Sequence, residues 1–311
     1  MPAFSSERTV LGARFGTIHS PYSIFAMSTS LIHSFIRQVL GFEVDAINSV
    51  QFSNHTGYSH FKGQRLAADE LLDLYSGLKL NNLCAKYTHV LTGYMGSSQF
   101  LNQVYAIIKE MKQENKHLIY VCDPVMGDRG KMYVSPDLLP IYRDKLTQLA
   151  DVVTPNQFEA ELLTGIKIVN EDDAIKAMDI LHSRGVPIVI ISSSDLGDEE
   201  TLIALGSMKR GRKTERYRIK IPLFPTSFVG TGDLFAALLL AWLTKTDFNL
   251  SLSLENTIAT LQDVLKSTYN YASNAKGGFT SENLELKLIQ NVSSILKPQT
   301  FIESERVECE N

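Results

Sequence analysis

The chain has 311 residues, of which 44% are hydrophobic and 21% are charged, and its formal net charge is −4. These values are typical of a soluble α/β enzyme that needs no disulfides, and they give no signal for nucleic-acid or membrane binding. The three cysteines, Cys84, Cys122 and Cys309, are widely spaced and odd in number. This spacing excludes a disulfide framework and a cysteine metal site, and we expect a cytoplasmic protein.

Apolar segments with strand character alternate with helical segments from residue 44 onward. The predicted extended segments are, in chain order, Val44–Val50, His60–Ala67, Thr88–Thr92, His117–Cys122, Asp151–Thr154, Pro187–Ser192 and a hairpin of Thr201–Gly206 with Tyr217–Ile221. The predicted helices are Asp69–Leu78, Ser98–Lys112, Pro136–Leu149, Asn156–Leu163, Asp172–Ser183, Thr231–Leu243 and Leu254–Ala275. This alternation predicts an α/β fold with a mostly parallel central sheet, helices on both faces and a short antiparallel hairpin.

Polar side chains stand where three of the predicted strands end, and ligands of open parallel sheets bind at that edge. These side chains are Asp123 and Asp128, Thr154 and Asn156, and Ser192 to Ser194. The two aspartates either hold Mg²⁺, directly or through waters, or cap backbone amides in a turn. Glu159 and Glu161 are two residues apart on a predicted helix, so one of them should point away from any site.

The motif Gly230-Thr231-Gly232-Asp233 comes directly before the apolar run Leu234–Leu243, at the start of the predicted helix Thr231–Leu243. The first N–H groups of a helix have no partner inside it and attract anions, and glycines let the backbone close around a phosphate. Asp233 would then stand as a general base beside a phosphate site. The alternative is a plain loop in which Asp233 caps the helix.

Five motifs in order along the chain resemble the pyridoxal kinase family of the ribokinase-like superfamily. They are VDAINSVQFSNHTGY (44–58), LTGY (91–94), CDPVMGD (122–128), TPNQFEAEL (154–162) and FVGTGDLFA (228–236). The resemblance extends from about Gln38 to about Lys276. It implies a ribokinase-like fold, usually in a homodimer, and no nucleic-acid or membrane partner.

The resemblance implies transfer of the γ-phosphoryl group of ATP to the 5′-hydroxyl of pyridoxal, pyridoxine or pyridoxamine, which are vitamin B6 compounds. Asp233 would take the hydroxyl proton, and the amides at Gly230 to Gly232 would stabilise the transferring group. Thr56 would contact the pyridoxal ring. Asp128 would bind Mg²⁺ or another divalent cation. Residues implied along ATP are Asn156, Glu159, Ser192, Ser193, Thr231 and Tyr133, and those at a monovalent cation, K⁺ or Na⁺, are Asp123 and Thr154.

The chain departs from the family pattern in two places. Only Arg129 to Met132 separate Asp128 from Tyr133, so the lid over ATP is short. The family's first strand, substrate serine and glycine-rich turn have no clear counterpart near Thr17 to Ser30, where Ser20 is our candidate for the serine and Pro21 would disturb a strand.

We therefore divide the chain into an atypical N-terminal segment at 1–37, a kinase domain at 38–297 and a flexible tail at 298–311. The atypical segment is serine-rich with scattered arginines, a composition that mitochondrial presequences share. The atypical segment also suggests an alternative function, in which the chain is a weak or inactive variant that retains nucleotide binding or dimerisation. A kinase for another hydroxymethyl heterocycle is a third hypothesis.

Overall fold

Strands and helices alternate through residues 23–28 and 31–307, which are the residues described by the computed structural model of the chain. The strands are β1 (Ser23–Ser28), β2 (Glu43–Asn48), β3 (Val50–Phe52), β4 (Gly63–Arg65), β5 (His89–Thr92), β6 (Ile119–Cys122), β7 (Gly127–Asp128), β8 (Lys131–Met132), β9 (Val152–Val153), β10 (Ile188–Ser194), β11 (Thr201–Arg210), β12 (Lys213–Pro222) and β13 (Glu305–Arg306). The helices are α1 (Leu31–Val39), α2 (Ala68–Leu80), α3 (Ser98–Glu114), α4 (Leu139–Ile141), α5 (Thr147–Leu149), α6 (Gln157–Thr164), α7 (Glu171–Ser183), α8 (Thr231–Lys245), α9 (Leu250–Asn274) and α10 (Val292–Leu296).

Nine of the described strands form one sheet in the order β13-β12-β11-β10-β9-β6-β5-β1-β2. Neighbouring strands from β2 to β10 run parallel, and β11, β12 and β13 continue the sheet with antiparallel pairing. Two small hairpins, β3–β4 and β7–β8, lie outside this sheet. The predicted α/β fold with a mostly parallel sheet is confirmed, and the hairpin β11–β12 is longer than predicted.

The parallel strands of the sheet send alternate side chains into two separate apolar layers, because successive residues of a strand point to opposite faces. In β6, Tyr120 and Cys122 pack with helices α2, α3, α6 and α7, whereas Val121 packs with α1, α8 and α9. Helix α8 is buried at every residue from Leu234 to Leu243. Burial of each Leu or Phe side chain contributes ~2 kcal/mol to the free energy of folding. The apolar contacts of α8 therefore stabilise its position between the sheet and α9.

The first strand of the sheet is formed by the N-terminal segment that departs from the family pattern. Strand β1 pairs in parallel with β2 on one side and β5 on the other, and Ile24, Phe25 and Met27 are fully buried. The sequence showed no clear counterpart of the family's first strand near Thr17 to Ser30, and Ser20, the candidate for the family serine, lies outside the described residues. The short apolar run after Pro21 provides the strand instead. The domain boundary at residues 37 and 38 stays a prediction, although β1 precedes it and α1 spans it.

The C-terminal residues, which we expected to be flexible, make specific contacts. The backbone N–H groups of Gln299 and Thr300 donate to Asp263 on α9, at 2.7 and 3.1 Å. Strand β13 pairs with β12, and Arg218 donates to Glu305 at 2.8 Å. The polar composition of this segment is therefore compatible with an edge strand that pairs through its backbone, and the flexibility of the tail stays a prediction.

Candidate active site

Helix α8 begins directly after a glycine. Gly230 precedes this helix with φ of +87°, in the left-handed region that glycine adopts without cost, and it gives the helix no side-chain cap. Thr231, Gly232 and Asp233 form the first turn, and Gly232 is exposed. The positive end of a helix that begins in this way is suited to an anion, and the anion site at this turn stays a prediction.

Asp123 and Thr154 meet at the carboxyl ends of β6 and β9. The Thr154 hydroxyl donates to Oδ1 of Asp123 at 3.2 Å, and both side chains are buried. Burial raises the pKa of Asp123 well above its ordinary value, and the nearby charges of Glu159 and Asp233 raise it further. Asp233 thus lies close enough to Asp123 for the two carboxylates to interact, which joins the α8 turn to the strand ends in one acidic site.

Glu159 faces this site and fastens the loop that follows β6. Its Oε1 accepts hydrogen bonds from the N–H groups of Met126 and Gly127, at 2.8 and 3.3 Å, and its Oε2 accepts from Asn156 N–H at 3.0 Å. Asn156 Nδ2 donates to the Gly127 carbonyl oxygen at 2.7 Å. Burial raises the pKa of Glu159 to about 7, and the backbone donors oppose that shift. These two side chains hold Gly127, and with it the start of the hairpin β7–β8, against helix α6.

Glu161 points away from Asp123, as expected for a residue two positions from Glu159. Its Oε1 accepts from Ile168 N–H at 3.0 Å, and its Oε2 pairs with Lys167 at 2.8 Å. The expectation that only one of the two glutamates faces the acidic site is therefore confirmed.

The short lid is a tight hairpin. Arg129 and Gly130 both have positive φ, +47° and +76°, and close β7 onto β8. Asp128 Oδ1 accepts from Arg129 N–H at 2.8 Å. Tyr133 follows β8 with 58% of its surface exposed, and burial of the remainder together with the Asp128 and Glu159 charges raises its pKa. The hairpin brings Tyr133 near the acidic residues but leaves its ring largely open to solvent.

A cavity of about 420 Å³ lies beside this hairpin. It is lined by residues from β7, α6 and β10, among them Asp128, Gln157, Phe158, Ser193 and Asp195. Ser192, the residue before Ser193, is half-buried, and its hydroxyl donates to the Pro155 carbonyl oxygen at 3.3 Å. Asp128 and Ser193, which the sequence assigned to metal and ATP, therefore share one cavity.

The substrate end of the predicted site is formed by the loop between β3 and β4. Thr56 is exposed in this loop. Gly57 approaches the phosphate end so closely that an added Cβ would lie 2.7 Å from Val229 Cγ2. Ser20, the other predicted substrate residue, lies outside the described residues. The loop that carries Thr56 thus contacts the residue directly before Gly230, a proximity that sequence spacing alone does not reveal.

Within the described residues, no three His, Cys, Asp or Glu side chains converge as a metal-binding group. Mg²⁺ commonly uses one or two carboxylates together with substrate phosphates and waters, so Asp128 alone is compatible with such a site. None of the described helices has the length and apolar character required to cross a bilayer.

Comparison with known proteins identifies relatives along most of the chain. The sequence model of the family described as phosphomethylpyrimidine kinase matches residues 83–279. The pyridoxal kinase of Homo sapiens is 49% identical over 286 residues, covering 87% of this chain and 91% of that protein. The pyridoxal kinase of Arabidopsis thaliana is 47% identical over 269 residues, covering 86% and 87%.

The fold is similar to that of a solved enzyme structure. The pyridoxal kinase of Leishmania donovani, in complex with ADP and pyridoxamine, matches with a TM-score of 0.84 and 32% identity. The match covers 92% of this chain and 99% of that chain.

Proposed function

The chain belongs to the pyridoxal kinase family, and we propose that it transfers the γ-phosphoryl group of ATP to the hydroxymethyl group of pyridoxal, pyridoxine or pyridoxamine. One observation carries the proposal. Asp233 lies in the first turn of α8, directly after the left-handed Gly230, at the open positive end of the helix. The Leishmania kinase of the same fold was solved with ADP and pyridoxamine bound, which supports both substrate classes.

The chemistry follows from the positions of Asp233 and the α8 turn. Asp233 takes the proton from the substrate hydroxyl as its oxygen attacks the γ-phosphorus of ATP in line with the leaving ADP. The N–H groups at Gly230 to Gly232 face the transferring group, and preorganised donors of this kind stabilise the charge that develops on it. Because these donors are fixed by the helix, they need no reorganisation during the reaction.

The alternative of a weak or inactive variant is not favoured. It rests on the loss of a central strand, whereas β1 occupies the position between β2 and β5. The first turn of α8, the Asp123 loop and the Asn156–Glu159 cap are all present in the same site.

We propose that Asp128 holds a divalent cation, Mg²⁺ by preference, and that Asp123 and Thr154 hold K⁺ or Na⁺. Oδ2 of Asp123 is buried without a hydrogen-bond partner in the described part of the chain. A buried carboxylate oxygen in this state is costly unless a cation neutralises it, so the donor set fits a cation. A divalent cation at Asp128 would neutralise charge on the ATP phosphates.

The function is tested with the purified chain, ATP, Mg²⁺ and pyridoxal, by following formation of pyridoxal 5′-phosphate. We expect turnover by the wild type and a loss of roughly 10²–10⁴-fold in kcat for Asp233→Asn. The matched control is Asp172→Asn, because Asp172 is an exposed aspartate in the first turn of α7. Equal rates for the wild type and Asp233→Asn would contradict the assigned base. A wild type that phosphorylates another hydroxymethyl heterocycle but not pyridoxal would contradict the substrate class.

We also propose a homodimer in the cytoplasm. Exposed apolar side chains on α2, at Leu72, Leu74 and Leu80, support a partner surface. The free thiols of Cys84 and Cys122 support a reducing compartment. Sedimentation equilibrium at the mass of one chain would contradict the dimer, and a fluorescent fusion found in another compartment would contradict the location.

A further inference from the structure

The loop between β3 and β4, residues 53–62, is held at its tip by a segment more than 200 positions away in sequence. We call this loop the substrate loop, because it carries Thr56. Tyr58 donates its hydroxyl to Oε1 of Glu285 at 2.8 Å, a sequence separation of 227. Ser281 donates its hydroxyl to the carbonyl oxygen of Gly57 at 2.9 Å. We call these two hydrogen bonds the latch.

Segment 281–287, which carries Ser281 and Glu285, is held in place by hydrogen bonds of its own. Asn283 is buried, and its Nδ2 donates to the Gly278 carbonyl oxygen at 2.7 Å. The N–H of Lys287 donates to the hydroxyl of Thr268 on α9 at 3.1 Å. Segment 281–287 is therefore attached to α9, which packs against α8.

The same segment contacts the phosphate end of the site. Leu286 packs in the apolar layer that contains α8, and its Cδ1 would lie 3.8 Å from a Cβ added to Gly230. On the other side of the site, Gly57 is in close contact with Val229. Segment 281–287 and the turn before α8 therefore both contact the substrate loop. These contacts fix the position of the loop with respect to the phosphate-binding turn.

Contacts within the substrate loop also define its conformation. Ser53 N–H donates to the Lys62 carbonyl oxygen at 2.8 Å and closes the base of the loop. His55 Nδ1 accepts from Gly57 N–H at 3.1 Å, and the His55 ring lies 4.7 Å from that of Tyr58. The hydrogen bond to Glu285 raises the pKa of Tyr58 to about 12.

We propose that Glu285 is a positioning residue that acts through Tyr58 to hold the substrate loop, and with it Thr56, over the acceptor end of the active site. This inference rests on the proposed function. Holding a substrate contact in place lowers the entropy lost on binding, and small misplacements of substrate-binding groups reduce rates strongly. Because the latch holds the loop that carries Thr56, whereas the turn at Gly230 is fixed by helix α8, loss of the latch should weaken pyridoxal binding and leave ATP binding unchanged.

The test compares Tyr58→Phe, Glu285→Gln and the double variant in steady-state kinetics with pyridoxal and ATP. Since hydrogen bonds to charged groups are among the stronger ones, we expect KM for pyridoxal to rise about tenfold in Tyr58→Phe, which removes the donor. The rise should be smaller in Glu285→Gln, which keeps a neutral acceptor. KM for ATP should stay unchanged, and the double variant should be no worse than Tyr58→Phe, because both substitutions act on the same contact.

Glu282→Gln is the matched control. Glu282 is exposed, and its charge acts on Tyr58, but the hydroxyl of Tyr58 donates to Glu285. We expect this control to keep the wild-type KM for pyridoxal. Hydrogen exchange gives a second measurement: the amides of residues 53–62 should exchange faster in Glu285→Gln, and saturating pyridoxal should slow them again.

Three outcomes would contradict the proposed role of the latch. The first is an unchanged KM for pyridoxal in both single variants, and the second is an equal rise of this KM in Glu282→Gln. The third is a parallel change of the KM values for pyridoxal and ATP, accompanied by a lower melting temperature. In each of these cases the wild type still makes pyridoxal 5′-phosphate, so the proposed function survives. A wild type without this activity would instead contradict the proposed function itself.

Discussion

The hydroxyl of Thr154 donates to one oxygen of Asp123 at 3.2 Å, whereas the other oxygen of Asp123 is buried without a hydrogen-bond partner among the described residues. A carboxylate in this position is unfavourable as an anion, and its raised pKa reflects that. A cation at the unpartnered oxygen would remove the penalty. The pair therefore has the chemistry of a cation site that is linked to the charge of Asp233.

Asp123→Asn is expected to remove most of the dependence of activity on K⁺. The amide keeps the shape of the side chain and a hydrogen bond to Thr154, but it lacks the charge that attracts a cation. Activity measured against K⁺ concentration, with Na⁺ and a large organic cation as comparisons, tests this. A variant whose activation by K⁺ matches that of the wild type would contradict the site.

Glu159→Gln is expected to raise KM for ATP and lower stability. Two backbone donors, Met126 and Gly127, share one oxygen of this carboxylate, so the neutral amide weakens the attachment of the hairpin that carries Asp128. Loss of charge-assisted hydrogen bonds of this kind costs ~1–2 kcal/mol, or about tenfold in affinity.

Glu171→Gln is the control for Glu159→Gln, because Glu171 accepts a hydrogen bond from Arg218 and does not line the cavity beside the hairpin. It should change the melting temperature slightly and leave KM for ATP as in the wild type. Equal KM values in the two variants would show that the hairpin attachment has no role in ATP binding.

Much of the fold could be predicted because each element carries a local signal. Helix α8 follows a glycine turn and is apolar over ten residues, and most parallel strands are short apolar runs that end in polar residues. Strand β1 was missed because its run, Ile24 to Met27, is short and follows Pro21 in a segment without the expected glycines. Strand β13 was missed because an exposed edge strand, Glu305 and Arg306, pairs through its backbone and needs no apolar pattern.

The candidate site was predictable at the phosphate end and less so at the substrate end. Asp123, Glu159 and Asp233 stand at strand or helix ends, where the topology of an open sheet gathers ligands. The contact between Tyr58 and Glu285 joins two loops that are 227 residues apart, and no local pattern predicts it. Long-range contacts of this kind depend on how α9 and the following segment pack, which the sequence motifs do not encode.

Gly230→Ala is expected to reduce kcat while the protein remains folded. The left-handed φ of +87° disfavours any side chain, and the new Cβ would lie 2.9 Å from Ile32 Cδ1. The turn must shift to relieve both, which moves the N–H donors away from the transferring group and lowers kcat by roughly 10–100-fold.

Gly185→Ala separates backbone strain from catalysis. Gly185 also has positive φ, +101°, but an added Cβ there would meet no atom within 4 Å. This variant should lose ~1 kcal/mol of stability and keep the wild-type kcat. If Gly230→Ala also keeps the wild-type kcat, the α8 turn does not supply the catalytic donors.

His89 is expected to make the free energy of unfolding fall in mild acid. It is buried between Thr88 and Thr244, whose hydroxyls contact its two ring nitrogens at 2.7 and 3.1 Å. Burial, together with the charge of Arg37, lowers its pKa from 6.5 to about 4. The unfolded chain therefore binds a proton more readily than the folded chain between these two values. Stability is fully present above pH 6.5 and decreases as pH falls toward 4.

Since one pKa unit corresponds to ~1.4 kcal/mol, the full loss attributable to His89 is roughly 3 kcal/mol. His89→Gln retains hydrogen-bonding groups but does not titrate, so its stability should depend less on pH over this range, while His117→Gln, a change at an exposed histidine, should follow the wild type. Urea unfolding between pH 4 and pH 7 measures the difference. If the free energy of unfolding of His89→Gln depends on pH as steeply as that of the wild type, other groups cause the acid sensitivity.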